Sequence, residues 1–135
     1  ILAKWTKTCP VKYETIGNNL VGFYWLENNI NDTYQTYIID DPKILKRIHK
    51  IYLIPTKFKV YENFLNGKDY KESAKFIFLK ESYEKKNIEV EDLTQTLRKN
   101  AINYLKKNEY LYFRDDTHLN QNGTLVIAEF IKKSF

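Results

Sequence analysis

The amino-acid sequence predicts an α/β fold, because helical and strand-like segments alternate from Asp41 to the end of the chain. Ile51 to Ile54 is a continuous apolar run, which is typical of a strand buried on both faces. Shorter apolar runs around Ile88 and Tyr110 predict two further parallel strands. We therefore expect a three-layer arrangement with a parallel sheet, of which this chain supplies three strands.

The first 40 residues predict a separate β segment. Leu20 to Leu26 has the apolar and aromatic composition of a buried strand, and Thr33 to Ile39 is rich in β-branched and aromatic residues. The polar residues at 28–32 predict a turn between them, so we expect an N-terminal β-hairpin. The chain thus divides into a β segment at residues 1–40 and an α/β part at residues 41–135.

The helices are predicted from capping residues and apolar periodicity. Asp41 at the N-cap and Pro42 at the first helical position begin a short helix, after which His49 is expected outside any site. Asn120 is suited to cap the last helix, and Gly123 would let that helix approach the sheet closely. The other predicted helices span residues 58–65, 72–86, from Asp92 or Thr94 to about 105, and about 120–133.

The composition limits the function classes. The chain has 135 residues, which suits one domain, and 43% of them are hydrophobic. The net charge is +5, and the basic residues are spread along the predicted helices. Solvated helix faces therefore explain the charge better than nucleic-acid binding does. Cys9 is the one cysteine, which excludes a disulfide framework and a cysteine-based metal site. The sequence contains no apolar run near the ~18 residues of a membrane span.

The stretch from Asp115 to Gly123 holds the residues best suited to chemistry. It follows a strand-like run and precedes a helix, and open α/β sheets place their chemistry at such junctions. His118 is flanked by acids, and the carboxylate of Asp116 could orient its imidazole and stabilise the charged form. This is the acid–base half of a Ser-His-Asp triad. The same residue types are also ordinary in loops and helix caps, so a structural role is the alternative.

Two parts of the sequence resemble the SGNH hydrolase superfamily. Residues 112–120, Tyr-Phe-Arg-Asp-Asp-Thr-His-Leu-Asn, with Gly123, are similar to its acid–histidine block. The likeness is to the branch of polysaccharide O-acetyltransferases that includes the alginate acetylation proteins, although Leu119 stands where that branch usually has Trp. Upstream, Leu53 to Lys57 with Tyr61 resembles the Ile-Pro-Thr-Lys…Tyr element of the same branch, in the expected order.

The resemblance implies a flavodoxin-like SGNH sheet, incomplete within this chain, and acyl transfer, specifically O-acetylation of a cell-surface or secreted polysaccharide. His118 would be the general base and Asp116 its orienting acid. Asp115 is the alternative acid, because the wider superfamily spaces its acid three residues before the histidine. The implied partners are a polysaccharide acceptor and an acetyl donor, either a protein or a small molecule, with a membrane-associated donor partner at an extracytoplasmic location. No cofactor, metal or nucleic acid is implied.

The serine nucleophile of the superfamily is missing from the sequence. It belongs to a Gly-Asp-Ser block, which does not occur here, and the available serines are Ser73, Ser82 and Ser134. In the alginate-acetylation branch the domain is circularly permuted and the serine block lies downstream of the histidine. We therefore expect this chain to be part of a larger domain, or to have its sheet completed by a second chain. The alternatives are an inactive carbohydrate- or partner-binding domain and a carbohydrate acetylesterase.

Overall fold

The structure is a computed structural model that describes residues 11–24, 38–66 and 74–134. The described residues contain both helices and strands, so the mixed α/β class is confirmed. The elements in chain order are β1 (Val11–Ile16), β2 (Asn19–Tyr24), α1 (Pro42–Leu45), β3 (Lys50–Leu53), α2 (Lys57–Asn66), α3 (Ala74–Glu84), β4 (Glu89–Asp92), α4 (Thr94–Leu105) and α5 (Gln121–Lys133).

Strands β1 and β2 form an antiparallel hairpin in which Ile16 pairs with Asn19 at the closed end. The turn residues are Gly17 and Asn18, and Gly17 has a φ of +63°, as the first position of a type II′ turn requires. The predicted strand at 20–26 is therefore found in β2, but β1 is its partner, because a two-residue turn closes this pair at low entropic cost. Residues 33–37 of the predicted partner strand lie outside the described residues.

Strands β3 and β4 form a parallel pair, with Ile51 opposite Val90 and Leu53 opposite Asp92. The side chains of β3 are all half-buried, so the prediction of burial on both faces is wrong for this strand. The physical reason is the small size of the sheet, which in the described part of the chain consists of two strands, β3 and β4. Helix α3 packs against β4 and contributes Tyr83 to the smaller buried cluster.

The third parallel strand predicted at residues 110–113 is not found there. Within the described residues, Tyr112 makes an isolated antiparallel bridge with Leu119 instead. The backbone of Leu111 is already engaged, since its N–H donates to a tyrosine hydroxyl of α2 at 3.0 Å and its carbonyl accepts from the N–H of Asn120 at 3.0 Å. These groups are therefore not available to a strand ladder.

The helix boundaries lie close to the predicted ones, with α1 as the exception. It is a single turn that ends at Leu45 and buries no residue, so the apolar face predicted to continue to Ile48 is not a helix face. Asp41 nevertheless caps it as predicted and accepts from Lys43 N–H at 2.8 Å. None of the helices in the described ranges is both long and apolar enough to cross a membrane.

The larger buried cluster joins the hairpin to α2, α4 and α5. Leu97 and Ala101 of α4 and Val126 and Ile127 of α5 are buried at helical spacing, whereas Ile77 of α3 is 40% exposed. Because α2 contacts both β1 and α4, it is the element that connects the hairpin to the helical layer. The cluster consists of Ile16, Val21, Phe23, Val60, Tyr61, Leu93, Leu97, Ala101, Leu111, Tyr112, Val126 and Ile127.

The first turn of α5 lies directly on the backbone of Leu111. Asn120 is the N-cap, as predicted, and its side-chain oxygen accepts from the Gly123 N–H at 3.1 Å. A Cβ atom placed on Gly123 would lie 2.2 Å from the Leu111 carbonyl oxygen and 2.6 Å from the Leu119 side chain. Only glycine therefore allows this helix start to reach the segment that leads into the His118 loop.

We expect Gly123→Ala to lower the free energy of unfolding by about 2 kcal/mol or more, because the clash is with backbone, which cannot move aside as a flexible side chain can. Urea denaturation measures the effect. Gln121→Ala, at an exposed position in the same turn, is the matched control and should change the stability by less than about 0.5 kcal/mol. Equal stabilities of the two variants would contradict the close approach.

Candidate functional site

The structure brings Asp116 and His118 together, as the sequence analysis expects. One oxygen of the Asp116 carboxylate, Oδ1, accepts the backbone N–H of His118 at 2.8 Å and also pairs with Nδ1 of its imidazole. The His118 side chain is 80% exposed and that of Asp116 is 48% exposed. Since Nδ1 is engaged by the carboxylate, Nε2 is the ring nitrogen that is presented for proton exchange with a substrate.

The backbone N–H of His118 lowers the pKa of Asp116 below its ordinary value of 3.8, with smaller contributions from the imidazole and from the Thr117 N–H. Burial acts in the opposite direction but does not prevail, because the carboxyl is largely solvated. Asp116 is therefore ionised at neutral pH. An ionised carboxylate at Nδ1 favours the tautomer in which Nε2 can accept a proton.

Asp115, the alternative acid, is directed to a different partner. Its carboxylate accepts from the guanidinium of Arg114 through both oxygens: Oδ2 lies 3.0 Å from Nη2 and 3.1 Å from Nε, and Oδ1 lies 3.3 Å from Nε. This contact raises the pKa of Arg114 above its ordinary value. The geometry therefore pairs His118 with Asp116 and pairs Asp115 with Arg114.

The loop that carries these residues, at positions 113–118, is closed by a hydrogen bond between its two ends. The Phe113 N–H donates to the His118 carbonyl at 3.0 Å, next to the bridge between Tyr112 and Leu119. Leu119 is half-buried and packs against the larger core cluster. The amide of Asn120 also donates to the Tyr112 carbonyl at 3.3 Å, so the helix cap and the loop share one hydrogen-bond network.

The two sequence elements that carry the resemblance meet in space. Tyr112 donates its hydroxyl to the Pro55 carbonyl at 2.7 Å, and the Tyr61 hydroxyl accepts the Leu111 N–H at 3.0 Å. Burial raises the pKa of Tyr61 to about 12, so its hydroxyl stays protonated throughout the ordinary pH range. The strand–helix junction at Pro55 and the segment before His118 are thus fixed to each other by side chain–backbone bonds.

Lys57 is the part of this arrangement to which the sequence reasoning gave no role. It is 1% exposed, and its Nζ donates to the carbonyls of Gly22 at 2.6 Å, Phe113 at 2.8 Å, Arg114 at 2.7 Å and Asp116 at 3.1 Å. The available signal was weak: a lysine directly after Pro-Thr at a helix start usually points into solvent.

The other candidate residues lie away from the pair or outside the described residues. His49 is exposed in the connection between α1 and β3. Ser82 belongs to α3, which packs on β4. Ser134 follows the 13-residue helix α5 and lies about 20 Å along the helix axis from its first turn. Ser73 and Cys9 lie outside the described ranges. The residues that are described contain no group of three His, Cys, Asp or Glu side chains that could hold a metal ion.

Comparisons with protein-family models, with curated proteins and with solved structures found no match to this chain.

The lowered pKa of Asp116 predicts a loss of stability in acid. Because its folded pKa lies below 3.8, the carboxylate stabilises the fold above that pH, and the contribution is lost as the pH falls through the folded value. We expect Asp116→Asn to flatten this acid decline, by less than about 1 kcal/mol because the group is half exposed. Urea unfolding at a series of pH values from neutral to strongly acidic measures it.

Asp115→Asn is the matched control for this experiment. It removes the same charge one residue away and leaves the acceptor of the His118 N–H in place. The acid decline should therefore persist in Asp115→Asn. If both variants flatten the decline equally, then general charge in the loop is responsible, rather than the specific bonds of Asp116.

Proposed function

We propose that this chain carries the acid–histidine half of an SGNH-type acyl-transfer site that O-acetylates a polysaccharide. The observation that carries the proposal is the pairing of Asp116 with Nδ1 of an imidazole that is 80% exposed. The resemblance of residues 112–120 and of the Pro55 element to the acetyltransferase branch supports the same assignment. Contact between these two elements adds support, since it places both resembling segments next to each other in the fold.

In the proposed reaction His118 moves protons and Asp116 keeps its ring oriented. As a serine hydroxyl attacks the acetyl carbonyl of the donor, Nε2 takes the hydroxyl proton, and the imidazolium returns it to the leaving group when the bond to the donor breaks. A hydroxyl of the polysaccharide then attacks the acetyl-serine and passes its proton to Nε2. The serine oxygen leaves with that proton, which restores the site.

The serine has to be supplied from outside the 135 residues, on a Gly-Asp-Ser turn. The three-layer sheet is part of the same proposal: the described residues contribute the parallel pair β3–β4, and the serine-bearing strand would extend it. An additional strand, from a further segment of the protein or from a second chain, would also cover a sheet edge that has no partner strand among the described residues. The acetyl donor, a small molecule or a membrane-associated protein, would approach from the exposed side of His118 at an extracytoplasmic location.

An inactive polysaccharide- or partner-binding domain is the second candidate. The observation that favours it is the position of the two serines that the structure describes: Ser82 lies in α3, and Ser134 follows α5, about 20 Å along the helix axis from its first turn. In that case the pair of Asp116 and His118 would be a loop motif without turnover. A carbohydrate acetylesterase differs from the main proposal only in using water in place of the polysaccharide hydroxyl.

The test uses the complete protein with an acetyl donor and a polysaccharide acceptor. His118→Ala should reduce acetyl transfer by at least about a thousandfold, because it removes the proton carrier. Asp116→Asn should reduce it by roughly a hundredfold to ten-thousandfold through the wrong tautomer. His49→Ala, which removes the other histidine, is the matched control and should retain full activity. Full activity of His118→Ala would reject the proposal in favour of the binding domain.

The isolated 135-residue chain should show no turnover of acetyl esters above background, because the nucleophile carries the covalent step. Hydrolysis of a chromogenic acetyl ester measures this. Addition of the serine-bearing segment should restore turnover, and substitution of its serine by alanine should remove it again. Turnover by the isolated chain that survives His118→Ala would place the chemistry elsewhere in the molecule.

A further inference from the structure

The amino group of Lys57 lies in a cradle of backbone carbonyl oxygens. Four carbonyls accept from Nζ at distances between 2.6 and 3.1 Å, and the ring of Phe23 lies with its centroid 5.1 Å from the same atom. A buried ammonium is costly unless it is hydrogen-bonded, and it has three N–H donors. Among the described residues four acceptors face three donors, so at least one N–H is shared.

The four carbonyls come from two separate parts of the chain. Phe113, Arg114 and Asp116 belong to the loop that carries the acid–histidine pair, and Gly22 belongs to β2. Gly22 also donates its N–H to the Arg114 carbonyl at 2.9 Å. Lys57, the first residue of α2, therefore binds the hairpin and the loop at one point.

The four carbonyls around Nζ also affect the orientation of the Asp116 and His118 side chains. Carbonyl oxygens that converge on one point repel one another, so this loop conformation requires a cation at its centre. One of the four carbonyls is that of Asp116 itself, and another, that of Phe113, belongs to the residue whose N–H closes the loop on His118. The position of Nζ thus determines the backbone from which both site side chains project.

We propose that Lys57 is a positioning residue: its ammonium occupies a cation site of four backbone carbonyls and thereby holds the Asp116–His118 pair in its orientation. It acts through the loop backbone and has no role in touching the substrate. The catalytic significance of this orientation rests on the proposed function, whereas the cation site itself does not. A small alkylammonium ion is the class of ligand that the cradle should accept when the lysine side chain is removed.

The first test uses amide hydrogen exchange of the wild-type chain. The N–H groups of Gly22, Phe113 and His118 should exchange with one shared opening free energy. The reason is that a single ammonium holds together the two segments between and within which these N–H groups are hydrogen-bonded. That free energy should be lower than the one for the Leu97 N–H in α4. Unequal values for the three amides, or values equal to that of Leu97, would overturn the proposal.

The second test compares Lys57→Met with Lys59→Met by NMR. Methionine preserves most of the stem volume of Lys57 and deletes the ammonium, so exchange at Gly22, Phe113 and His118 should accelerate roughly tenfold to a hundredfold, while α4 is unchanged. The pKa of Asp116, followed by its carboxyl carbon, should rise toward 3.8 as the loop loosens. Lys59→Met, on the same helix, should show neither effect.

Unchanged exchange in the loop of Lys57→Met, or an equal loss of protection in α4, would show that Lys57 has no specific positioning role. If Lys57→Met does not fold, the wild-type exchange data decide. A third variant, Lys57→Ala, removes the atoms equivalent to n-propylammonium. Added n-propylammonium should restore loop protection in this variant, whereas tetramethylammonium, which has charge but no N–H, should not. Restoration by both ions or by neither would overturn the cation site.

These measurements need no substrate and so separate the two proposals. If Lys57→Met loosens the loop and His118→Ala leaves acetyl transfer intact, the proposed function fails and the positioning role stands. If His118→Ala abolishes transfer and Lys57→Met alters neither the loop nor the turnover, the positioning role fails alone. Where both hold, Lys57→Met in the complete protein should lower kcat, and the conservative Lys57→Arg should restore part of the loss by returning the charge.

Discussion

The buried ammonium of Lys57 is the interaction on which the rest of the site depends. It is the point where β2, the start of α2 and the loop at residues 113–116 come within hydrogen-bond distance of one atom. A buried charge cannot be left partly satisfied without a cost of several kcal/mol, so the three segments must keep their mutual positions while the chain is folded. The hairpin is thereby made part of the site, although it contributes no side chain to the acid–histidine pair.

The tyrosines around this point serve a second purpose besides packing. Tyr61 and Tyr112 are buried in the larger cluster and their rings contact each other edge to face, yet both hydroxyls bond to backbone groups of the neighbouring element. A leucine in either position would fill the core but would leave a buried N–H or carbonyl without its partner. An aromatic core that fixes backbone in this way explains why residues 110–113 form side-chain bonds instead of a third parallel strand.

How well each feature could be predicted from the sequence depends on how far apart in the chain its interacting residues lie. The Asn120 cap of α5 and the pairing of Asp116 with His118 depend on residues two or three positions apart, and both were predictable. The close approach of Gly123 to Leu111 spans twelve positions and was indicated by the glycine itself. The strand around Tyr110 was predicted wrongly because its competitors, Tyr61 and Asn120, are visible only in three dimensions. The hairpin partner was missed although the Gly17-Asn18 turn signals it, and Lys57 gives no sequence signal of the carbonyls that surround it.

The difference between local and long-range interactions also bears on function. Asp116 accepts the N–H of the residue two positions on, which is the geometry of an Asx turn, so three consecutive residues suffice to form the acid–histidine pair. Such a pair would persist in a relative that had lost its serine. What an acyl transferase needs in addition is a fixed direction for Nε2, held to within about 0.5 Å of the productive geometry. In this chain the backbone of that turn is held from outside by the contacts of Lys57, which join it to β2 and to the start of α2. These long-range contacts add to the support that the pair gives to the acyl-transfer proposal.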